Sequence, residues 1–236
     1  MNSGKSPIRI ILIVGPTCVG KTELAIELAE TYNGEIISAD SMQVYRYMDI
    51  GTAKPKAEEK NRVRHHLIDV VNPDESFNAA IYLEKAVEVI DRLEEARKTI
   101  FVVGGTGLYI KALLGGLFPG PGADNRLRAL YRAYQQRHGT IYLYRLLQEK
   151  DKKTAEKIHP NDTARIIRAL EFFEMTGESI IHKQEEHSFG DRRYHHTAIG
   201  LNIDRNLLYS KINSRTDRML SDGLVDEVEM LIEMGY

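Results

Sequence analysis

Gly15-Pro16-Thr17-Cys18-Val19-Gly20-Lys21-Thr22 follows an apolar run, Ile8 to Val14, and opens a segment with helical spacing. Strand, glycine-rich loop and helix in that order are the context that a G-x-x-x-x-G-K-[ST] phosphate loop requires. The glycines let successive backbone N–H groups turn inward around a polyphosphate, and the helix adds the positive end of its dipole. Lys21 would supply a mobile ammonium, and the Thr22 hydroxyl a ligand for Mg²⁺. The chain is therefore expected to bind a phosphate ester.

Reading outward from that loop, Leu24, Ala25, Leu28 and Ala29 fall on one face of a helix that Asn33-Gly34 stops. Glu35–Ala39 reads as a second strand ending at Asp40-Ser41. Residues 42–64 have no clean periodicity and read as a long excursion with at most a short helix. Leu67–Val71 reads as a short strand. Ser76 is placed to cap a helix running to Lys98, with Ile81, Leu83, Val87, Ile90 and Leu93 as its buried stripe. Thr99–Val103 is another apolar strand, followed at once by Gly104-Gly105-Thr106-Gly107 and a further helix. Two strand–glycine loop–helix units predict an α/β fold, a P-loop-containing doubly wound parallel sheet. In such sheets ligands sit outside the carboxyl ends of the strands, where both loops and Asp40 are expected to converge.

The character changes after Leu117. Phe118–Gly122 is a Pro/Gly linker, and the residues up to about 180 have helical spacing. Between Pro121 and Arg168 there are 11 Lys and Arg against 5 Asp and Glu, which leaves 21 against 29 for the rest of the chain. Strand character returns at Thr197–Ile203, and helical spacing resumes from Leu207, with Arg215 and Arg218 one turn apart. The expected organisation is a core over 1–118 and 197–236 with a mostly helical domain inserted at 119–196. The chain ends at Tyr236 without a strand or a polar tail, and its C-terminus reads as truncated.

The chain has 236 residues, 42% hydrophobic and 28% charged, enough to bury a core without staples. Its single cysteine, Cys18, excludes an internal disulfide and a thiolate metal cluster. No apolar window approaches the length of a membrane span, so the expectation is a cytoplasmic protein with no membrane partner. The net charge of −2 argues against non-specific coating of nucleic acid and leaves room for a local basic face. His65-His66 is not metal-like, since adjacent strand residues face opposite ways.

A phosphate loop by itself serves phosphoryl transfer, a nucleotide switch, or displacement of a diphosphate. No guanine-reading N-K-x-D follows a strand, and Phe101-Val102-Val103 runs into Gly-Gly-Thr where a Walker-B strand would end in an acid. The acid nearest the site is Asp40, which could hold Mg²⁺ through water, take a proton from a nucleophile, or only shape a turn.

Six stretches in order carry a resemblance that covers residues 10–235. With the phosphate loop, Asp40-Ser41-Met42-Gln43-Val44-Tyr45-Arg46, Gly51-Thr52-Ala53-Lys54-Pro55, His65-His66-Leu67-Ile68-Asp69, Gly104-Gly105-Thr106-Gly107-Leu108-Tyr109 and His159-Pro160-Asn161-Asp162 resemble the bacterial tRNA dimethylallyltransferase family. The resemblance implies transfer of a dimethylallyl group from dimethylallyl pyrophosphate to the N-6 amine of the adenine at tRNA position 37, next to the anticodon. It implies that the phosphate loop (Gly15, Pro16, Thr17, Cys18, Val19, Gly20, Lys21, Thr22), with Arg215, grips a leaving pyrophosphate. Asp40, Thr106 and Lys21 are implied as catalytic, and Thr22 and Asp40 as the residues toward Mg²⁺. The tRNA anticodon stem-loop would be held by Asp40, Ser41, Met42, Gln43, Thr106 and Arg128, and by Ala164, Arg165, Ile166, Ile167 and Arg168. The target base would have to leave its stack, and the enzyme is expected to act as a monomer. The runner-up is a P-loop kinase of a nucleotide or small metabolite, and a third reading is an RNA-binding nucleotide switch without covalent chemistry.

Overall fold

The apolar runs become a five-stranded parallel sheet in the computed structural model, which describes residues 8–191 and 193–236. The strands are β1 (Arg9–Val14), β2 (Gly34–Ser38), β3 (His65–His66), β4 (Thr99–Gly104) and β5 (His195–Gly200), in the order β3-β2-β4-β1-β5. Successive strand residues point to opposite faces, so a strand covered on both sides must be apolar throughout. Ile10 and Leu12, Ile37 and Ala39, and Ile100 and Val102 pack on one face; Ile13, Ile36, Phe101 and Val103 pack on the other.

The first four helices are α1 (Lys21–Thr31), α2 (Ala57–Arg62), α3 (Ala79–Glu95) and α4 (Gly107–Gly115). Ala25, Ile26 and Ala29 of α1 fill the second face. The first face is covered by α3 and α4, whose Tyr82 and Tyr109 rings stack 4.2 Å apart at 12°. Such a pair is worth about 0.5–1.5 kcal/mol beyond the area it buries.

Three expectations shift. The long helix is capped by Asn78, whose side chain accepts from the Ala80 and Ile81 N–H groups, and its buried stripe is Tyr82, Ala86, Val89, Ile90 and Leu93. Leu67–Val71 is not a strand: Leu67 and Asp69 take left-handed φ of 59° and 58°, which breaks extension. The backbone there turns to the excursion instead, with Val70 N donating to Val44 O at 2.7 Å and Asp69 N to Gln43 O at 3.1 Å. The last strand is shifted too, beginning at His195 beside Arg9 of β1.

The described residues divide into two compact units, 8–116 with 191 and 193–236, and 117–190. In the second unit α5 (Asn125–His138), α6 (Thr140–Lys150), α7 (Lys152–Lys157), α8 (Thr163–Thr176) and α9 (Ile180–His187) surround a core that includes Tyr131, Leu143, Leu147, Ile166 and Phe172. In the first unit α10 (Arg205–Ser221) and α11 (Leu224–Glu233) follow β5. Among the described residues no helix is long and apolar enough to cross a membrane.

What positions the site is the crowding of backbone at the strand ends. Ala39 N donates to Val103 O at 2.7 Å, and Thr106 N returns to Ala39 O at 3.1 Å. A Cβ at Gly104 would lie 2.2 Å from Ala39 O, and one at Gly15, whose φ is +152°, 2.5 Å from Leu201 O. Gly104→Ala should therefore lose about 1–3 kcal/mol of stability through overpacking. Gly107→Ala, where an added Cβ meets nothing within 4 Å, should be neutral or slightly stabilising. Urea denaturation of the two variants measures the difference; equal stability would refute a backbone-limited contact at 104.

Candidate functional site

The loop after β1 is wound by backbone conformations that few side chains permit. Gly20 takes φ +92° immediately before α1, and Cys18 takes φ +63°. Lys21 Nζ donates back to Gly15 O at 2.9 Å and Pro16 O at 2.7 Å, so the ammonium closes the loop it belongs to. Burial, opposed by Asp40 and assisted by Arg215, holds the Lys21 pKa below that of an ordinary lysine. Arg215 of α10 reaches the same loop, with Nη1 donating to Thr17 Oγ1 at 2.7 Å.

The loop after β2 is fixed by its own turn and by the loop after β4. Asp40 Oδ1 accepts from Met42 N at 2.8 Å and Gln43 N at 3.4 Å, which holds one carboxylate oxygen and leaves the other available. Thr106 Oγ1 accepts from Ser41 N at 3.0 Å. Gln43 is oriented at both ends of its amide: Ser38 Oγ donates to Oε1 at 3.1 Å, and Nε2 donates to Ala53 O at 3.2 Å and Thr52 O at 3.4 Å. Met42, nearly half exposed, projects from this turn.

One cavity of about 440 Å³ brings these parts together: Thr17, Lys21, Thr22, Asp40, Gln43 and Arg215 all line it. His65 and Arg218 also border it, residues that sequence reasoning had not assigned to the site. His65 Nδ1 lies 2.8 Å from Val63 O, and His66 Nε2 lies 2.7 Å from Glu35 Oε2. Burial lowers the pKa of both rings. Among the described residues no cluster of three or more His, Cys, Asp or Glu is arranged to hold a metal. A hydroxyl and a carboxylate beside a phosphate loop nevertheless suit Mg²⁺, which takes one or two protein ligands and completes its shell with phosphate oxygens and water.

The residues expected in the helical unit divide by burial. Ile166 and Ile167 lie in its core, and Ala164 and Arg165 are exposed. Arg128 Nε donates to Glu171 Oε1 at 2.8 Å, Arg168 Nη1 to Glu171 Oε2 at 2.5 Å, and Asp124 N to Glu171 Oε1 at 2.7 Å. Arg168 Nη2 also donates to Pro121 O at 2.9 Å. Burial alone would raise the Glu171 carboxyl; the bonds from Arg128, Arg168 and the Asp124 N–H outweigh it and hold the pKa below the usual carboxylate range. Both arginines are thus bonded to Glu171 of α8, and Arg168 also to the Pro/Gly linker, while the Arg165 guanidinium pairs at the surface with Asp162 at 3.4 Å. Arg128, Arg132 and Arg168 still line a groove of about 450 Å³ with Thr163 and Ala164.

The IPP transferase family model matches residues 43–236. A tRNA dimethylallyltransferase 2 of Syntrophus aciditrophicus is 56% identical over 228 residues, 97% of this chain and 73% of that protein. Another tRNA dimethylallyltransferase 2, from Geotalea uraniireducens, is 49% identical over 236 residues, 100% of this chain and 76% of its own length. The crystal structure of a tRNA isopentenylpyrophosphate transferase from Bacillus halodurans superposes with a TM-score of 0.65 at 42% identity, covering 98% of this chain and 71% of that one. A eukaryotic dimethylallyltransferase described as acting on tRNA gives a TM-score of 0.77 at 27% identity, over 96% of this chain and 56% of that one.

The division of arginine roles is testable by substitution. Arg168→Ala should destabilise the chain by roughly 2 kcal/mol, less than the 3–5 of a fully buried pair because its guanidinium reaches solvent. Arg165→Ala should change stability by less than about 0.5 kcal/mol. Thermal or urea unfolding measures both, and the opposite order would reverse the assignment.

Proposed function

This chain belongs to the IPP transferase family, and on that premise we propose the reaction its cavity serves. The chain is a tRNA dimethylallyltransferase, and the kinase reading is set aside. The donor is dimethylallyl pyrophosphate, and the acceptor is the N-6 amine of adenine 37 in an anticodon stem-loop. The observation that carries this reading is the sharing of one cavity by the phosphate loop, Arg215 and Asp40.

The amine lone pair forms the new bond to the first carbon of the allyl group as the carbon–oxygen bond to the diphosphate breaks. Negative charge then grows on the leaving oxygens, where inward N–H groups, Lys21 and Arg215 meet it. An aromatic amine is a weak nucleophile, and its proton passes to the free oxygen of Asp40 as the bond forms. Thr106 holds Ser41 N, and so keeps the Asp40 turn aligned with the phosphate loop. Mg²⁺, held by Thr22 and through water by Asp40, would neutralise the diphosphate further.

The acceptor must arrive as a flipped base, because a stacked adenine cannot reach a carbon inside the cavity. Asp40-Ser41-Met42-Gln43 meets that base. In the helical unit Arg165, Ala164 and the groove beside Arg128 and Arg168 meet the RNA backbone, while Ile166 and Ile167 support α8 from the core. Single-stranded loop recognition suits this division. The enzyme acts as a monomer in the cytoplasm.

Incubation with labelled dimethylallyl pyrophosphate, Mg²⁺ and an anticodon stem-loop RNA should transfer label to the RNA. Asp40→Asn should lower kcat by about 10²–10⁴ with RNA binding retained. Lys21→Met should lower it by about 10²–10³. ATP hydrolysis without label transfer would overturn the reading, and a Lys21→Met variant that lost mainly RNA affinity would overturn the role of the loop.

A further inference from the structure

Glu227 stands on the first turn of α11, more than 170 residues in sequence from the loop it bonds. Its carboxylate accepts three consecutive backbone N–H groups: Asp49 and Ile50 on Oε2, each at 2.7 Å, and Gly51 on Oε1 at 2.9 Å. Consecutive N–H groups converging on one carboxylate form an anion nest, and charge-assisted bonds of this length are strong. The approach is close enough to restrict the residue opposite. A Cβ on Gly51 would lie 3.2 Å from Leu224 Cδ1 and 3.4 Å from Glu227 Oε1.

The clamped segment leads directly to the cavity. Its next two carbonyls, on Thr52 and Ala53, are the acceptors that orient the Gln43 amide. Ala53 itself is held at a left-handed φ of 46°, and Thr52 Oγ1 donates to Met48 O at 2.5 Å. Lys54, with a side chain only 2% exposed, ties the following residue inward to Tyr45 O at 2.6 Å and to Asp49 and Asp69 at 2.7 and 2.6 Å. The side away from Lys54 has Glu227 as its anchor. Arg215, on the helix just before α11, bonds the phosphate loop. The α10–α11 pair therefore touches both the diphosphate grip and the segment behind Gln43.

We propose that Glu227 is a positioning residue for the acceptor RNA: by fixing residues 49–51 it holds Thr52 and Ala53 where they orient Gln43 beside Asp40. This rests on the reading of residues 40–43 as the stretch that meets the target base. Among the described residues the phosphate loop bonds Arg215 of α10 and its own backbone rather than residues 49–51, so loss of the clamp should bear on the acceptor more than on the donor.

Glu227→Ala and Glu227→Gln in the full chain test this. Initial rates should show KM for the anticodon stem-loop RNA raised about tenfold in Glu227→Ala. KM for dimethylallyl pyrophosphate should stay within about twofold, and Glu227→Gln, which keeps an acceptor oxygen, should recover part of the loss. Amide hydrogen exchange across 49–53 should quicken in the alanine variant while exchange in β1 and β4 is unchanged. An unchanged RNA KM, or equal rises for both substrates, would overturn the proposal, as would unaltered exchange at 49–53. If the unsubstituted chain transfers no label, the proposed reaction has failed; direct RNA binding by the two variants then decides the clamp alone, through the same tenfold difference.

Discussion

The close approach of Gly104 to the carbonyl of Ala39 is the constraint on which the rest of the site depends. Two adjacent strands end there, and the absence of a side chain lets their following loops be bonded to one another. From that contact Thr106 reaches the Asp40 turn, and a Cβ added at Gly105 would lie 3.7 Å from Gly15 O in the phosphate loop. A methyl group at 104 would push the Asp40 turn away from the end of β4 and disturb the cavity that Asp40 shares with the phosphate loop. The proposed chemistry needs both within one cavity, and the backbone contact helps to set that proximity.

Several charged side chains in this molecule hold backbone rather than facing solvent. Glu227 gathers three N–H groups, Lys54 bonds a carbonyl as well as two carboxylates, and Lys21 bonds two carbonyls of its own loop. In the helical unit Glu171 is fully buried between two guanidiniums and the Asp124 N–H. Irregular backbone cannot satisfy its own polar groups as helices and sheets do, so long loops at a functional centre need such partners. The buried ion pairs therefore act as orientation devices, since their net contribution to stability is offset by desolvation.

The central strands β1 and β4 were legible because a strand covered on both faces is apolar through most of its length, and the phosphate loop because its glycines and lysine are fixed by spacing. The misread parts share a different cause. In α3 the apolar residues are spread over more than one face, so Ile81, Leu83 and Val87 looked as suitable for burial as Tyr82, Ala86 and Val89; tertiary packing chose between them. Leu67–Val71 is apolar enough for a strand, but its backbone is claimed by the excursion at Gln43 and Val44, a non-local pairing that no local pattern announces. Arg128 and Arg168 are expected at the RNA from the family resemblance; their shared bond to Glu171 was legible only for Arg168, three residues away, because Glu171 lies more than 40 residues from Arg128. Glu227 left no signal at all, since an acid on an amphipathic helix is ordinarily a solvated one.

The phosphate loop alone does not choose between a nucleotide and an allylic diphosphate, because the backbone donors and Lys21 recognise phosphate oxygens in either. Selection of the reaction must come from what faces the loop across the cavity. A kinase places a hydroxyl or phosphate acceptor there, and the transition state carries its charge on the transferred phosphoryl group. Here the facing group is a carboxylate on a turn tied to Gln43 and Thr106, suited to a planar amine that must lose a proton as it is alkylated. In the reaction proposed, negative charge grows on the leaving diphosphate, on the loop side of the breaking bond. A phosphate grip and a carboxylate lining one cavity are the two halves that the proposed alkyl transfer needs, and the fold places one after β1 and the other after β2.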